Sequence, residues 1–482
     1  MPSLTAPAAA GLEIATLRRT FLDGSLSATA LLDRVLEQAG RWDDPALWIT
    51  RCDENGLRAR AQALDAAATR DRGLIERLPL FGIPFAVKDN IDIAGMPTTA
   101  ACPAFAYTPA HSAVVVERLV AAGAVLIGKT NLDQFATGLV GTRSPYGAPR
   151  NPYDARYIPG GSSSGSAVAV AAGVVSFALG TDTAGSGRVP AAFNNLVGLK
   201  PSRGLISTRG IVPACRSLDC ASIFALTAAD AAAVLGVAAG ADPADPLSRA
   251  PPIGMGPIGM GPIGMGPIGM GQIGMGQIGM GKRSAAGFSF GIPGSGDLEF
   301  FGDNEAEALF AAAIERLERA GGEAVEIRFA PFREAGKLLY DGPWVAERLH
   351  ATEQLLDKDP EALLSVTRAI IERGRSYSAL DAFRAHYELA ALRAAADREL
   401  ARVECLALPT TGTIYEIAAV VAEPVRLNSN LGLYTNFANL LDLAAVAIPA
   451  GFRSNGLPFG ISLVASAFSE HALLGLAARL GA

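Results

Sequence analysis

The chain is poor in the residues that most often carry metal and acid–base chemistry. It has 4 histidines and 5 cysteines in 482 residues. The histidines, His111, His350, His386 and His471, stand far apart, outside any Gly/Ser-rich motif and never at metal-ligand spacing. The sequence therefore offers no support for a Ser-His-Asp triad, although triads are defined in space and not by order. The cysteines (Cys52, Cys102, Cys215, Cys220, Cys405) form no Cys-x-x-Cys pair and no regular framework, which argues against a disulfide scaffold and for a reducing compartment. There is no basic surplus: 41 Lys and Arg against 47 Asp and Glu leave a net charge of −6, the wrong sign for a nucleic-acid footprint. No basic stretch followed by an apolar core opens the chain; Arg18 and Arg19 come too late for a leader. The longest apolar stretch, Ala167 to Gly180, is shorter than the roughly 20 residues that span a bilayer, so it reads as a buried helix. A cytoplasmic protein without membrane or nucleic-acid partners is expected.

What is present is ample apolar residue. Half the chain is hydrophobic and 18 % is charged, enough to bury a core against chain entropy. Residues 1–75 read as helical, with Leu12, Ile14, Leu17, Phe21 and then Leu31, Leu32, Val35, Leu36 at helical spacing. Phe81 to Lys88 reads as a buried strand bounded by Gly and Pro. A helix is expected over His111 to Ala122 with Gly123 closing it, then a strand over Ala124 to Ile127. Further strands are expected at Phe288–Ile292, Ala324–Ile327, Cys405–Leu408, Ala445–Ile448 and Phe459–Leu463. Helices are expected at Ala306–Ala320 and about Ser376–Arg402. This alternation predicts one large α/β domain over 1–482.

Residues 252–281 break the texture. Four Pro-Ile-Gly-Met-Gly units are followed by two Gln-Ile-Gly-Met-Gly units, holding six of the 8 methionines. Two glycines in five residues make ordering expensive, and proline blocks regular helix. The tract, with its flanks 250–285, reads as a surface loop of low complexity and not as a Cu(I) site, since no Cys or His lies in it. Deleting it is expected to leave activity within a few-fold.

Three segments carry chemistry. Lys88 ends an apolar strand, where poor hydration would lower its pKa and make the amine a usable base. Gly160-Gly-Ser-Ser-Ser-Gly-Ser166 opens the Ala-rich stretch; with no Gly-Lys-Ser/Thr it is not a phosphate loop. Gly180-Thr-Asp-Thr-Ala-Gly-Ser186-Gly-Arg188 does not fit the Gly-x-Ser-x-Gly elbow, but two glycines around a serine allow the tight turn of an oxyanion pocket. A serine activated by a lysine is the economical reading.

These segments resemble the amidase signature family. Gly82-Ile-Pro-Phe-Ala-Val-Lys88-Asp is similar to its lysine motif, residues 160–167 to its Gly/Ser loop, and 180–186 with Gly198-Leu-Lys-Pro201 to its nucleophile segment. Ser162 follows Lys88 by 74 residues and Ser186 follows Ser162 by 24, the family's order and spacing. Leu406–Pro409, Asn430–Asn439 and Gly456–Leu463 resemble its C-terminal blocks. The resemblance implies a central mixed, twisted sheet covered by helices on both faces, with the catalytic motifs in 80–215 and a helical substrate-binding part in 300–400. It implies a Ser-Ser-Lys triad: Ser186 as nucleophile, Ser162 as bridging serine on a cis peptide after Gly161, and Lys88 as base. The backbone N–H groups of Thr183, Ala184, Gly185 and Ser186 would form the oxyanion hole. Ala184 departs from the glycine of many members, and its methyl points to a small substrate. No cofactor or metal is implied; a homodimer is.

The segments Asp133–Gly147 and Thr183–Asn195 resemble the allophanate-hydrolysing branch of the family. Tyr340-Asp-Gly-Pro-Trp-Val-Ala-Glu-Arg348 resembles the stretch by which that branch holds its substrate carboxylate, and Gly138 is expected beside the substrate. Tyr340 and Arg348 are eight residues apart, about two turns if helical, so they could share a face. The resemblance implies hydrolysis of the terminal amide of allophanate with release of ammonia, in urea nitrogen catabolism. Such enzymes often continue into a smaller C-terminal domain; the sequence stops at Ala482, just past the amidase core, so that domain is expected to be either absent or cut off. The alternatives are an amidase of malonamate-like substrates, the amidase-like component of a tRNA-dependent amidotransferase, and a non-catalytic scaffold using the Ile-Gly-Met-Gly tract.

Overall fold

The computed structural model describes residues 11–251 and 287–482. The 252–281 repeat, and the expectation of a surface loop there, lie outside the described residues.

Eleven strands form one mixed sheet: β1 (Trp48–Arg51), β2 (Pro84–Lys88), β3 (Val125–Thr130), β4 (Phe177–Asp182), β5 (Val197–Lys200), β6 (Cys220–Ala225), β7 (Phe288–Pro293), β8 (Gly322–Ile327), β9 (Cys405–Pro409), β10 (Leu443–Phe452) and β11 (Pro458–Ser466). Their spatial order is β1-β3-β2-β4-β6-β5-β10-β11-β9-β7-β8. Strands β3, β2 and β4 run parallel, with Phe85 opposite Phe177 and Val87 opposite Leu179. From β4 the ladder turns antiparallel through β6, β5, β10, β11 and β9, and β9, β7 and β8 are parallel again. Strands β2, β4 and β6 are buried along their whole length, as strands covered on both faces should be. Phe85 and Phe177 stack across β2 and β4 with centroids 5.2 Å apart, adding directional packing to their burial.

The strands and helices expected after residue 280 fall where the sequence places them, within a few residues. Three differences have identifiable causes. Residues 1–75 are not all helix: between the helices Ala28–Arg41 and Glu54–Arg70 the chain forms β1, which pairs with β3. Ala167–Gly180 is not one helix. The helix Ser164–Ala171 is closed by Gly173 and Val174 amides donating back to the Val170 and Ala169 carbonyls, and Phe177 then enters β4 between β2 and β6. Uninterrupted apolar residues cannot separate a buried helix from a buried strand. Third, Tyr340 and Arg348 do not share a helix. The helix Ala330–Asp341 stops, Gly342 and Pro343 turn the chain, and a second helix runs Val345–Lys358. Among the described residues no helix is long and apolar enough to cross a membrane.

Candidate active site

The site gathers at the carboxyl ends of the parallel strands β2 and β4, where an open α/β sheet leaves a crevice. Lys88 is the last residue of β2 and is fully buried. Its Nζ donates to Ser162 Oγ (2.7 Å) and to Thr181 Oγ1 (2.8 Å) near the end of β4. No carboxylate lies within ion-pair distance of it among the described residues. Burial therefore dominates and lowers its pKa from 10.5 to about 7, against the smaller opposing pull of Asp133, Asp219 and Asp182. Near neutral pH much of the amine is uncharged. It then keeps two N–H donors and gains a lone pair able to take the Ser162 proton.

The neighbouring buried lysine shows what pairing does. Lys129 Nζ, on β3, lies 3.0 Å from Asp89 and also donates to the Pro97 carbonyl and Thr98 Oγ1. Lys88 has only hydroxyls.

Ser162 is reached through a cis Gly161–Ser162 peptide and stands just ahead of the helix Ser164–Ala171. Ser186 is buried in the loop after β4, and its Oγ donates to the Gly138 carbonyl (3.4 Å). Among the described residues no hydrogen bond joins the Ser162 and Ser186 hydroxyls. What connects them is the loop 133–143. The Gly161 amide donates to the Leu139 carbonyl (2.8 Å), one residue from the carbonyl that accepts from Ser186. The Asp133 carboxylate organises this loop by accepting from the amides of Val140, Gly141 and Arg143. A Cβ on Gly138 would lie 2.6 Å from Asp133 Oδ2, so a close approach requires glycine there.

The loop that carries Ser186 is held from below by Asp182. Its two oxygens accept from the Gly185 and Gly187 amides (2.9 and 3.0 Å) and form a two-point ion pair with Arg188 (2.9 Å each). Burial alone would raise the Asp182 pKa; Arg188 overrides it, and the net shift is downward. Gly185 sits at φ +130°, with Thr435 against the position of a Cβ, and Thr435 Oγ1 fixes the loop further by donating to the Ala184 carbonyl (2.7 Å). Of the four amides expected to form an oxyanion hole, that of Gly185 is thus already committed to Asp182. The amides of Thr183, Ala184 and Ser186 have no acceptor among the described residues. Asp219 is a further buried carboxylate. It accepts from Thr183 Oγ1 and from the Ala214 and Cys215 amides, and burial raises its pKa to about 6.

Arg348 is 2 % exposed. Its Nη1 donates to Thr137 Oγ1 (2.9 Å), its Nη2 to Tyr340 Oη (3.3 Å), and its guanidinium lies 5.2 Å from the centre of the Tyr340 ring. The two residues meet across the turn between their helices. Its Nε is buried without a partner, and no carboxylate pairs with it among the described residues. Next to it in space, Ala184, Cys215, Leu218, Leu339, Trp344 and Leu440 form one apolar cluster with Tyr340 packed on it. Among the described residues no group of three His, Cys, Asp or Glu side chains could hold a metal ion.

The amidase family pattern matches residues 31–474. The chain belongs to the amidase family. It is 43 % identical to the urea amidolyase of Saccharomyces cerevisiae over 94 % of its own length and 23 % of that protein's; it therefore spans about a quarter of that curated relative. Among solved structures, the Kluyveromyces lactis allophanate hydrolase superposes with a TM-score of 0.84 at 40 % identity, covering 98 % of this chain and 72 % of that one. The peptide amidase of Stenotrophomonas maltophilia superposes with a TM-score of 0.77 at 29 % identity, covering 99 % of this chain and 97 % of that one. The chain shares its fold with those structures, and in it Lys88, Ser162 and Ser186 lie at one end of the sheet.

The site residues that sequence reasoning missed are Thr181, Asp182, Arg188, Asp219 and Thr435. All but Asp219 lie inside motifs quoted above. The bonds of Thr181 to Lys88, of Asp219 to Thr183 and of Thr435 to Ala184 join residues distant in sequence, so their roles were invisible; Asp182 and Arg188 pair within their own loop, and Asp219 also takes the nearby Ala214 and Cys215 amides.

Proposed function

We propose that this amidase hydrolyses the terminal amide of allophanate, a urea bearing one carboxylate, and releases ammonia. The observation that carries the reading is Arg348: a buried cation without a carboxylate, held by Tyr340 and Thr137 beside the nucleophile loop. A charge left unpaired in a low-dielectric site is unfavourable until an anion arrives, and a planar guanidinium matches a carboxylate in a fork. The identity to urea amidolyase and the likeness to allophanate hydrolase support the same substrate.

With the carboxylate on Arg348 and Tyr340, the terminal carbonyl faces Ser186. Uncharged Lys88 takes the proton of Ser162, Ser162 takes that of Ser186, and the Ser186 oxygen attacks. For this the Ser186 hydroxyl must leave the Gly138 carbonyl and turn to Ser162; hydrogen bonds in an empty site often form fully only around substrate. The developing oxyanion is met by the free amides of Thr183, Ala184 and Ser186, each such donor being worth on the order of 100-fold in rate. Return of the proton through the same relay lets ammonia leave, and water then cleaves the acyl-serine. Gly138 lines the approach to Ser186, and the Ala184 methyl keeps the pocket small. No cofactor takes part in this scheme, the substrate is the partner that matters, and the setting is cytoplasmic nitrogen catabolism by a homodimer.

The test is ammonia release by the purified chain from allophanate, malonamate, biuret and glutamine side by side. Turnover of allophanate above the others is expected. Preference for malonamate would make this a different carboxylated-amide hydrolase, and activity confined to glutamine would favour an amidotransferase component.

A further inference from the structure

Four arginines are buried among the described residues: Arg143, Arg188, Arg348 and Arg453. Two of them have carboxylates. Arg188 is paired with Asp182 at 2.9 Å and Arg453 with Asp303 at 3.1 Å. The other two, Arg143 and Arg348, are 3 % and 2 % exposed and have no ion pair. Both converge on Thr137. Arg143 Nη1 donates to its carbonyl (2.9 Å) and Arg348 Nη1 to its hydroxyl (2.9 Å). In both guanidinium groups the Nε–H is buried without an acceptor.

The carboxylate in the same loop does not resolve this. Asp133 Oδ1 accepts from the backbone amide of Arg143, and its oxygens serve three amides of the 140–143 turn. It attracts the Arg143 charge through space without contacting the guanidinium in an ion pair. The remaining Arg143 contact is Nη2 to the Pro424 carbonyl (2.5 Å). Two cations buried around one residue repel each other, and hydrogen bonds to neutral carbonyls and hydroxyls do not cancel that repulsion. A bound anion does.

We propose that Arg143 is the second cation of the carboxylate subsite, acting with Arg348 to select substrates that bear an anionic group. This rests on the proposed reading of Arg348 as the carboxylate anchor. Thr137 aligns the pair, and its neighbour Gly138 offers the carbonyl that receives the Ser186 hydroxyl, so anion binding and the nucleophile are linked by consecutive residues. The selected class is a short amide with a carboxylate near the scissile carbonyl, of which allophanate and malonamate are examples.

The experiment compares Arg143→Gln, Arg143→Lys and Arg348→Gln with the wild type on two substrates, malonamate and the uncharged propionamide, with malonate as a competitive probe. For Arg143→Gln the KM for malonamate and the Ki for malonate are expected to rise roughly ten- to a hundred-fold, as for loss of a charged hydrogen bond, while kcat/KM for propionamide falls by clearly less than kcat/KM for malonamate. Arg143→Lys is expected to recover part of the loss. An equal fall on both substrates, or no change on malonamate, overturns the proposal. If Arg348→Gln is also without effect on malonamate, the carboxylate reading of the whole site fails; if only the Arg143 variants are silent, that reading stands and the second cation does not. A crystal structure of the wild-type chain with malonate answers independently of how the variants fold: a malonate oxygen within hydrogen-bond distance of the Arg143 guanidinium supports the proposal, and contact with Arg348 alone contradicts it.

Discussion

Arg188, beneath the nucleophile loop, and Arg348, on the helix Val345–Lys358, are both almost wholly removed from water. Around Arg188 every charge is answered: Asp182 grips it at two points while holding the Gly185 and Gly187 amides. Around Arg348 there are only hydroxyls, a carbonyl and a ring face. The same contrast separates two of the three buried lysines, Lys129 against Asp89 and Lys88 against Ser162 and Thr181. Where opposite charges meet, the pair fixes backbone geometry. Where the Lys88 amine has no counterpart its pKa moves; an arginine cannot be deprotonated, and on the proposed reading Arg348 is answered by the substrate instead.

The comparison can be broken most sharply at the unpaired side. Ser186→Ala and Lys88→Ala should each reduce ammonia release by about ten-thousand-fold or more, because members of a relay act as a unit; retained turnover in a coupled ammonia assay would end the mechanism. On the paired side, Asp182→Asn leaves Arg188 buried without its counter-charge and should lower unfolding free energy by about 3–5 kcal/mol, read from denaturant titration. A loss below about 1 kcal/mol would mean that the pair is not what holds the loop. Arg348→Ala should weaken kcat/KM for allophanate about a hundred-fold, from a charge-assisted bond of roughly 2–3 kcal/mol, with little loss of stability because no native ion pair is broken.

The smallest expected effect concerns Lys88 and stability. Its folded pKa, about 7, lies below the ordinary 10.5. Between those values the unfolded chain holds a proton that the folded chain does not. Stability therefore falls as pH drops from about 10.5 towards 7, and below that the penalty from this group is complete and constant. Lys88→Met removes the burden and should stabilise the protein by roughly 1–2 kcal/mol at pH 7, with the gain shrinking by pH 10. Equal melting-temperature shifts at both values would show that desolvation of the amine is not the cause.

Much of this architecture could be read from sequence where the signal is local. Lys88 at a strand end follows from a short apolar run bounded by Gly and Pro, and the strands after residue 280 from short runs rich in apolar residues. The reading faltered where tertiary pairing decides. Trp48–Arg51 becomes a strand only because β3 is beside it, and Phe177–Asp182 only because β2 and β6 flank it. Tyr340 and Arg348 do meet, but across a Gly342-Pro343 turn rather than along one helix. Asp182 and Thr181 stood inside a quoted motif, and Asp219 one residue past Leu218. That Thr181 bonds Lys88 and that Asp219 accepts from Thr183 is not shown locally, since those partners come from separate parts of the chain; Asp182 holds its own loop, but only the folded turn brings the Gly185 and Gly187 amides and Arg188 onto its carboxylate.

The central claim is that an uncharged amine at position 88 activates the Ser186 hydroxyl through Ser162. The direct measurement is the rate at which a serine-reactive sulfonyl fluoride labels Ser186 as a function of pH, in the wild type and in Lys88→Met. The account predicts a rate that climbs with pH to a plateau just above 7 in the wild type and near-absence of labelling in the variant. A pH-independent rate between 5 and 9, or labelling of the variant as fast as the wild type, would contradict it.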